Sequence, residues 1–166
     1  VLRLKGGDPC VFGRGGEEAL ALAAAGIPFR IIPGVTSGLA ALTVASIPAT
    51  LRGVSQALIL VTGHCGDEED AVDWAALAQT GQPIVLYMAL SSLDGIAASL
   101  MNAGLDPHEP VAVISSATLP DERILISELQ RVAAETRELA FEAPAIIVIG
   151  AIVRVRAELL GLAAKV

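Results

Sequence analysis

Short apolar runs alternate along this chain with alanine- and leucine-rich segments, and this alternation limits the folds that are open to it. The runs have the length of buried β-strands, and they lie at Ala57–Val61, Ile84–Met88, Val111–Ser115 and Ala145–Ile149. The segments between them have helical composition, and they lie at Trp74–Gln79, Leu93–Ala103 and Glu128–Leu139. Strands that alternate with helices predict an α/β protein.

The second half of the chain contains enough elements for one small domain, whereas the first part does not. Arg123–Ser127 follows Val111–Ser115 closely, so we expect a hairpin there and a mixed sheet. The first part supplies two predicted strands, Val1–Leu4 and Phe29–Ile32, and two predicted helices, which are too few to bury a core alone. We therefore predict that residues 1–50 are the C-terminal part of a first α/β domain and that residues 51–166 form a second. Because the chain begins at Val1 without an initiator methionine, we also expect a preceding segment.

Composition and charge argue against several classes of protein. Hydrophobic residues make up 54% of the chain and charged residues 17%, which is typical of a well-buried core. Eleven basic and eighteen acidic side chains give a net charge of −7, so we expect no nucleic-acid partner. The longest apolar runs are about half the roughly 20 residues of a spanning helix, so we expect no membrane segment.

The cysteines and histidines indicate no special chemistry. Cys10 and Cys65 form no CxxC pair, which favours reduced thiols, buried as small hydrophobes, in a cytoplasmic protein. No secretory leader pattern opens the chain. His64 and His108 have no partner at metal-ligand spacing, so we predict no metal site.

Glycine-rich and hydroxyl-bearing turns are the candidate ligand contacts. Gly6-Gly7-Asp8-Pro9 follows an apolar run, and its glycines would let a ligand approach the backbone while Asp8 accepts hydrogen bonds. It matches neither the dinucleotide nor the P-loop signature, and the residues alone fit a tight turn as well as a binding loop. Thr36 and Ser37 can cap a helix or contact a ligand, and Met88 can belong to the core or to a site.

Taken in order, these segments resemble the uroporphyrinogen-III C-methyltransferases of the tetrapyrrole methylase family. The resemblance runs from residue 1 to about residue 156. Its motifs are Arg3-Leu4-Lys5-Gly6-Gly7-Asp8-Pro9, Phe12-Gly13-Arg14-Gly15-Gly16-Glu17-Glu18, Ile32-Pro33-Gly34-Val35-Thr36-Ser37, Ile47-Pro48, Val61-Thr62-Gly63-His64, Tyr87-Met88 and Pro144-Ala145-Ile146-Ile147-Val148-Ile149-Gly150.

The resemblance implies a homodimer of two-domain subunits with the ligand cleft between the domains, the first domain being incomplete in this chain. It implies C-methylation of uroporphyrinogen III to precorrin-2, for sirohaem and cobalamin, with S-adenosyl-L-methionine as donor and S-adenosylhomocysteine as product. The donor contacts that it implies are Gly6, Gly7, Asp8, Val11, Thr36, Ser37, Met88, Ala117, Pro144 and Ala145. For the substrate carboxylates the candidate cations are Arg14 and Arg52, with Arg3 and Lys5. The acid or base residues of the family lie upstream of Val1, so no catalytic residue is assigned in this chain.

Three positions depart from the family pattern. Leu51 stands where a histidine commonly precedes the arginine, and Ala89 and Ala117 stand where glycine is common. Two alternatives stay open. One is a methylase that acts on a later corrin intermediate, and the other is a non-catalytic α/β interaction domain.

Overall fold

The structure, a computed structural model, describes residues 1–64 and 72–163 of the chain. Cys65 lies outside the described residues, and so does the acidic segment Asp67–Asp70, for which the sequence predicts a loop. The helices are α1 (Gly15–Ala24), α2 (Ser37–Val44), α3 (Trp74–Gln79), α4 (Leu93–Asn102), α5 (Val132–Glu138) and α6 (Val155–Ala163). The strands are β1 (Ile59–Thr62), β2 (Ile84–Tyr87), β3 (Pro110–Ser115), β4 (Arg123–Glu128) and β5 (Ala145–Ile149). Short 3-10 turns cover Leu90–Ser92 and Ala151–Arg154.

The five strands form one mixed sheet in the order β1-β2-β5-β3-β4. β1 and β2 are parallel, whereas β5 runs antiparallel to both β2 and β3. β3 and β4 form the predicted hairpin, in which Pro110 pairs with Glu128 and Ser115 with Arg123. These directions place the carboxyl ends of β1, β2 and β3 at the same edge of the sheet, and the predicted mixed α/β fold is confirmed.

Apolar side chains cover both faces of the sheet, as expected for central strands between helical layers. On one face Leu86, Val113 and Ile147 pack with residues of α3, α4 and α5. On the other face Val85 and Val148 pack with residues of α2 and of the turn after β5. The apolar side chains on both faces come from the near-continuous Val and Ile runs of β2, β3 and β5.

Two predicted strands and one predicted helix start were wrong. Val1–Leu4 and Phe29–Ile32 are not strands, because in the described part of the chain no neighbouring segment completes a hydrogen-bonded ladder with them. Their large apolar side chains are mostly exposed. α5 begins at Val132 instead of Glu128, because Glu128 is still paired with Pro110 as the last residue of β4.

The ends of the short helices explain where the chain turns back. Asp73 caps α3, its carboxylate accepting from the amide of Ala76 at 2.9 Å. At the carboxyl end of α5 the amide of Phe141 donates to Thr136 O (2.9 Å) and that of Ala140 to Arg137 O (3.1 Å). This is the Schellman pattern, and it holds Ala140 in the left-handed region at φ 49°.

Replacing Ala140 by glycine is expected to stabilise the protein by roughly 0.5–1 kcal/mol. A side chain in the left-handed region costs about 1–2 kcal/mol, and the added freedom of a glycine in the unfolded chain offsets part of that gain. Urea unfolding of Ala140→Gly would measure the difference. Ala134→Gly, at an exposed position inside α5, is the matched control and is expected to destabilise by about 1 kcal/mol. An Ala140→Gly variant no more stable than the parent would contradict this reading of the helix end.

Candidate functional site

A cleft of about 1000 Å³ opens at the carboxyl ends of β2 and β3. One wall continues from β2 through residues 87–91, and a second continues from β3 through Ser116, Ala117 and Leu119. The third wall is residues 141–146, which lead from the end of α5 into the first two residues of β5, and Ser37 at the start of α2 adds a hydroxyl. The lining is mostly apolar with a few polar groups, which is typical of small-molecule sites.

A second cavity lies at the opposite edge of the sheet and is much smaller, about 110 Å³. It is bounded by Leu77, Gly81, Glu109 and Gly150. Burial raises the pKa of the Glu109 carboxyl there. A space of this size holds a few water molecules, so the large cleft is the candidate site.

Five of the predicted donor contacts line the large cleft. Met88 follows β2, Ala117 follows β3, Pro144 and Ala145 lead into β5, and Ser37 begins α2. They come from separate parts of the sequence, and the antiparallel placement of β5 between β2 and β3 brings them together. The remaining five, Gly6, Gly7, Asp8, Val11 and Thr36, are not part of this lining.

Non-glycine residues in left-handed conformation surround the cleft. Met88 has φ 52°, Ser116 has φ 49° and Thr118 has φ 73°. Met88 is 55% exposed, so it is not a core residue. Sparsely populated backbone conformations of this kind cluster at ligand sites, because the surrounding structure must hold them in place.

Tyr87 connects the cleft to the first part of the chain. Its hydroxyl lies 2.8 Å from Thr36 Oγ1 and accepts from the amide of Gly38 at 3.0 Å, while the side chain is buried. The ring of Phe12 lies 4.7 Å from the Tyr87 ring, centroid to centroid. A Cβ on Gly38 would come within 2.3 Å of the tyrosine hydroxyl, so only glycine fits there. The hydroxyl of Thr36 therefore bonds to Tyr87 instead of capping α2.

The Gly-Gly-Asp loop is joined to the turn before α2. One Asp8 oxygen accepts from the amide of Cys10 (2.8 Å) and the other from the amide of Gly34 (3.1 Å). A Cβ on Gly34 would lie 2.3 Å from Gly7 O, so the two loops touch backbone to backbone. Val11 packs against the core cluster that contains Tyr87. Asp8 thus orders both loops, and its remaining lone pairs are available to a ligand.

The predicted cations are not brought to the cleft. Arg14 is 82% exposed and pairs with Glu17, and Arg52 is also exposed. Arg3 and Lys5 both pair with Glu18, and the hydrogen bond from Lys5 contributes most to lowering the pKa of that carboxyl.

Arg137 is the basic residue that lines the cleft, and it also pairs with Asp94 of α4. The sequence does not indicate that Arg137 lies at the cleft, because an arginine near the end of an amphipathic helix is usually a solvent-exposed charge.

The remaining polar candidates lie elsewhere. His64 is exposed after β1, and His108 contacts Glu128 at 3.0 Å. Hydrogen bonds from Gln130 and then from His108 lower the pKa of Glu128. Within residues 1–64 and 72–163 no three histidine, cysteine, aspartate or glutamate side chains are grouped to hold a metal ion. Cys10 is exposed, so the prediction that it is buried was wrong; in the part of the chain that the structure describes, no segment covers this side chain.

None of the helices in the described ranges combines the length and the apolar character that crossing a membrane requires.

The fold and the cleft define an α/β protein with a cleft of small-molecule size at the carboxyl ends of β2 and β3. The chain belongs to the tetrapyrrole (corrin/porphyrin) methylases, whose sequence profile matches residues 1–133. The resemblance carried by the ordered motifs is therefore confirmed.

Relatives and solved structures agree with this family. The chain is 46% identical over 161 residues to a uroporphyrinogen-III C-methyltransferase of Sinorhizobium sp, covering 96% of this chain and 58% of that protein. Its Synechocystis counterpart is 45% identical over 161 residues, covering 96% and 61%.

A uroporphyrin-III C-methyl transferase of Thermus thermophilus, solved in complex with S-adenyl homocysteine, superposes with a TM-score of 0.80 at 38% identity, covering 93% of this chain and 67% of that one. A cobalt precorrin-4 methyltransferase superposes with a TM-score of 0.82 at 27% identity, covering 91% and 64%. This chain thus spans 58% and 61% of the length of the Sinorhizobium and Synechocystis C-methyltransferases, and 33% of a siroheme synthase of Hahella chejuensis to which it is 42% identical.

Proposed function

We propose that this chain is part of an S-adenosyl-L-methionine-dependent methyltransferase that converts uroporphyrinogen III to precorrin-2, with S-adenosylhomocysteine as the second product. The observation that carries the proposal is the cleft at the carboxyl ends of β2 and β3, which gathers Ser37, Met88, Ala117, Pro144 and Ala145. A volume of about 1000 Å³ is large enough for an adenosine-bearing ligand. The relatives at 45–46% identity favour uroporphyrinogen III over a later corrin intermediate as the acceptor.

The walls of the cleft suit a methyl donor of this kind. Apolar side chains such as Leu90 and Leu119 offer a surface for an adenine ring, while the hydroxyls of Ser37 and Ser116 offer hydrogen bonds to polar groups. The Gly6–Asp8 loop would complete the donor site beside the turn before α2, to which Asp8 ties it. Thr36 and Val11 would belong to the same donor site. The Thr36 hydroxyl lies 2.8 Å from that of Tyr87, and Val11 packs against the core cluster that contains Tyr87.

Methyl transfer from a sulfonium donor requires few reactive side chains. The bound donor supplies an activated methyl group on a sulfonium, so no protein nucleophile is needed. The protein contributes alignment of the acceptor carbon with that methyl, which in well-oriented cases is worth about 7–11 kcal/mol. Residues of this chain would thus bind, orient and exclude water, and none is assigned as acid or base.

The domain division, the dimer and the cellular location rest on the resemblance. We propose that residues 1–50 belong to a first domain and residues 51–166 to a second, with α2 packed on the sheet of the second. Exposed apolar side chains of the first part, among them Leu2, Leu4 and Ile32, are consistent with further contacts made by that domain. A homodimer in the cytoplasm is the arrangement proposed for the whole protein.

The acceptor carries eight carboxylates, and exposed arginines suit it. Arg14 and Arg52 are proposed to pair with these carboxylates, and Arg137 offers a further guanidinium at the cleft itself. Their contribution is expected in the affinity for the acceptor and not in the affinity for the donor.

The test is made on the intact protein with two readouts. Calorimetric titration with S-adenosylhomocysteine is expected to show saturable binding, and labelled methyl from S-adenosyl-L-methionine is expected in uroporphyrinogen III. In the same assay, Arg14→Leu and Arg52→Leu are expected to raise KM for the acceptor and to leave donor affinity unchanged. Label found only in a later corrin intermediate would favour the first alternative. A protein that binds no S-adenosylhomocysteine would overturn the proposal and leave the non-catalytic interaction domain.

A further inference from the structure

Arg123 connects the edge strand β4 to the third wall of the cleft. Its Nη1 donates to Ala140 O at 3.0 Å and its Nη2 to Leu139 O at 2.7 Å. The guanidinium carbon also lies 4.3 Å from the centroid of the Phe141 ring. One planar side chain therefore makes three contacts with three consecutive residues, which is the geometry for which arginine is suited and lysine is not.

These contacts fall at the point where α5 ends and the wall begins. Leu139 is the capping residue of α5, and the turn that follows leaves carbonyl groups without intrahelical donors. A cation at this position also interacts favourably with the helix dipole. Arg123 thereby satisfies the orphan carbonyls and holds Ala140 in its left-handed conformation.

The wall itself is held at its other end by the sheet. The amide of Ser116 donates to Pro144 O at 3.0 Å, and Ala145 pairs with Ser115 in the first row of the β3–β5 ladder. Ser115 pairs in turn with Arg123 across the hairpin. The wall is thus anchored at Pro144 by β3 and at residues 139–141 by Arg123, so the intervening residues have both ends fixed.

We propose that Arg123 is a positioning residue for the cleft: by locking the end of α5 it sets the position of Phe141 and the wall that follows, and thereby the affinity for the donor. The inference rests on the proposed function, because donor binding is what the wall serves. Arg123 lies outside the lining of the cleft, so its effect passes through residues 139–141 and requires no direct contact with a ligand.

The experiment compares Arg123→Met and Arg123→Lys with the parent in the intact protein. Arg123→Met is expected to weaken S-adenosylhomocysteine binding about tenfold in calorimetry, because two charge-assisted hydrogen bonds and the ring contact are lost together. Arg123→Lys keeps the charge at the helix end without the fork, so an intermediate loss is expected. Arg131→Met is the matched control: Arg131 is an exposed arginine just before α5 that pairs with Glu128 and Glu135, and its loss is expected to leave donor affinity unchanged.

A second measurement requires no ligand. In hydrogen exchange, the amides of Ala140 and Phe141 are expected to lose at least tenfold protection in Arg123→Met, while β3 and β5 keep theirs. Unchanged protection at both amides would overturn the inference, as would donor affinity equal to the parent's. A uniform loss of protection across the sheet would also overturn it, because Arg123 would then act on global stability alone. If the parent protein binds no donor, the proposed function fails, and exchange still decides whether Arg123 locks the wall.

Discussion

An Ala117→Trp variant is expected to lose S-adenosylhomocysteine binding by about a hundredfold or more while keeping its fold. Ala117 lies in the turn after β3, lines the cleft and is half-buried. An indole at this position would project into the space between the β3 wall and the wall that carries Pro144. Since the left-handed Ser116 and Thr118 fix the backbone on both sides, the turn cannot easily move aside. Calorimetric titration of the intact protein measures the loss.

The control for this variant is Ala75→Trp. Ala75 is exposed on α3 and takes no part in the cleft, so the same increase in size is expected to leave donor affinity unchanged. Circular dichroism and urea unfolding would confirm that both variants are folded. Donor binding by Ala117→Trp at parental affinity would show that the donor lies elsewhere and would remove the main support for the proposed site.

Removing the hydroxyl of Tyr87 is expected to destabilise the protein by about 1–3 kcal/mol. In Tyr87→Phe the amide of Gly38 and the hydroxyl of Thr36 lose their partner in a buried position, and neither can reach water without moving the start of α2. Urea unfolding measures the change. A loss below about 0.5 kcal/mol would mean that water or another group replaces the phenol.

The two glycines of α2 and α4 give a matched comparison for the same contact. Gly38→Ala places a Cβ within 2.3 Å of the Tyr87 hydroxyl, so a destabilisation of about 1–3 kcal/mol is expected. Gly95 in α4 has open space around the corresponding position, so Gly95→Ala is expected to stabilise by up to about 1 kcal/mol. Combining Gly38→Ala with Tyr87→Phe should cost less than the sum of the two single changes, because the first then loses its closest clash.

Local patterns predicted the elements of the second half of the chain well, for a physical reason. The strands β2, β3 and β5 are buried on both faces, so each is a run of consecutive apolar residues that can be recognised in the sequence. Val1–Leu4 and Phe29–Ile32 have similar composition, yet a strand also needs a partner, and none of the described segments pairs with either. Strand pairing is a property of the assembled fold, and composition alone does not report it.

The site was predicted in part. Met88 and Ala145 were expected at the site because of the resemblance, and both line the cleft, Met88 just after β2 and Ala145 at the start of β5. The tyrosine hydroxyl could not be placed, because its bond to Thr36 joins residues that are 51 positions apart. The contacts of Arg123 with the end of α5 could not be predicted either, because no local sequence pattern links a charged residue at the start of an edge strand to a helix end.

At the left-handed residues around the cleft, a change that raises thermal stability is expected to lower the affinity for the ligand. At Met88, Ser116 and Thr118 the backbone adopts a conformation that glycine tolerates without cost, yet each position carries a side chain. A library of variants sorted for heat resistance alone should therefore enrich glycine at these positions. Substitution of Met88 or Ser116 by glycine also removes a side chain from the cleft lining. The variants with the highest thermal stability should therefore bind the donor less well than their parent.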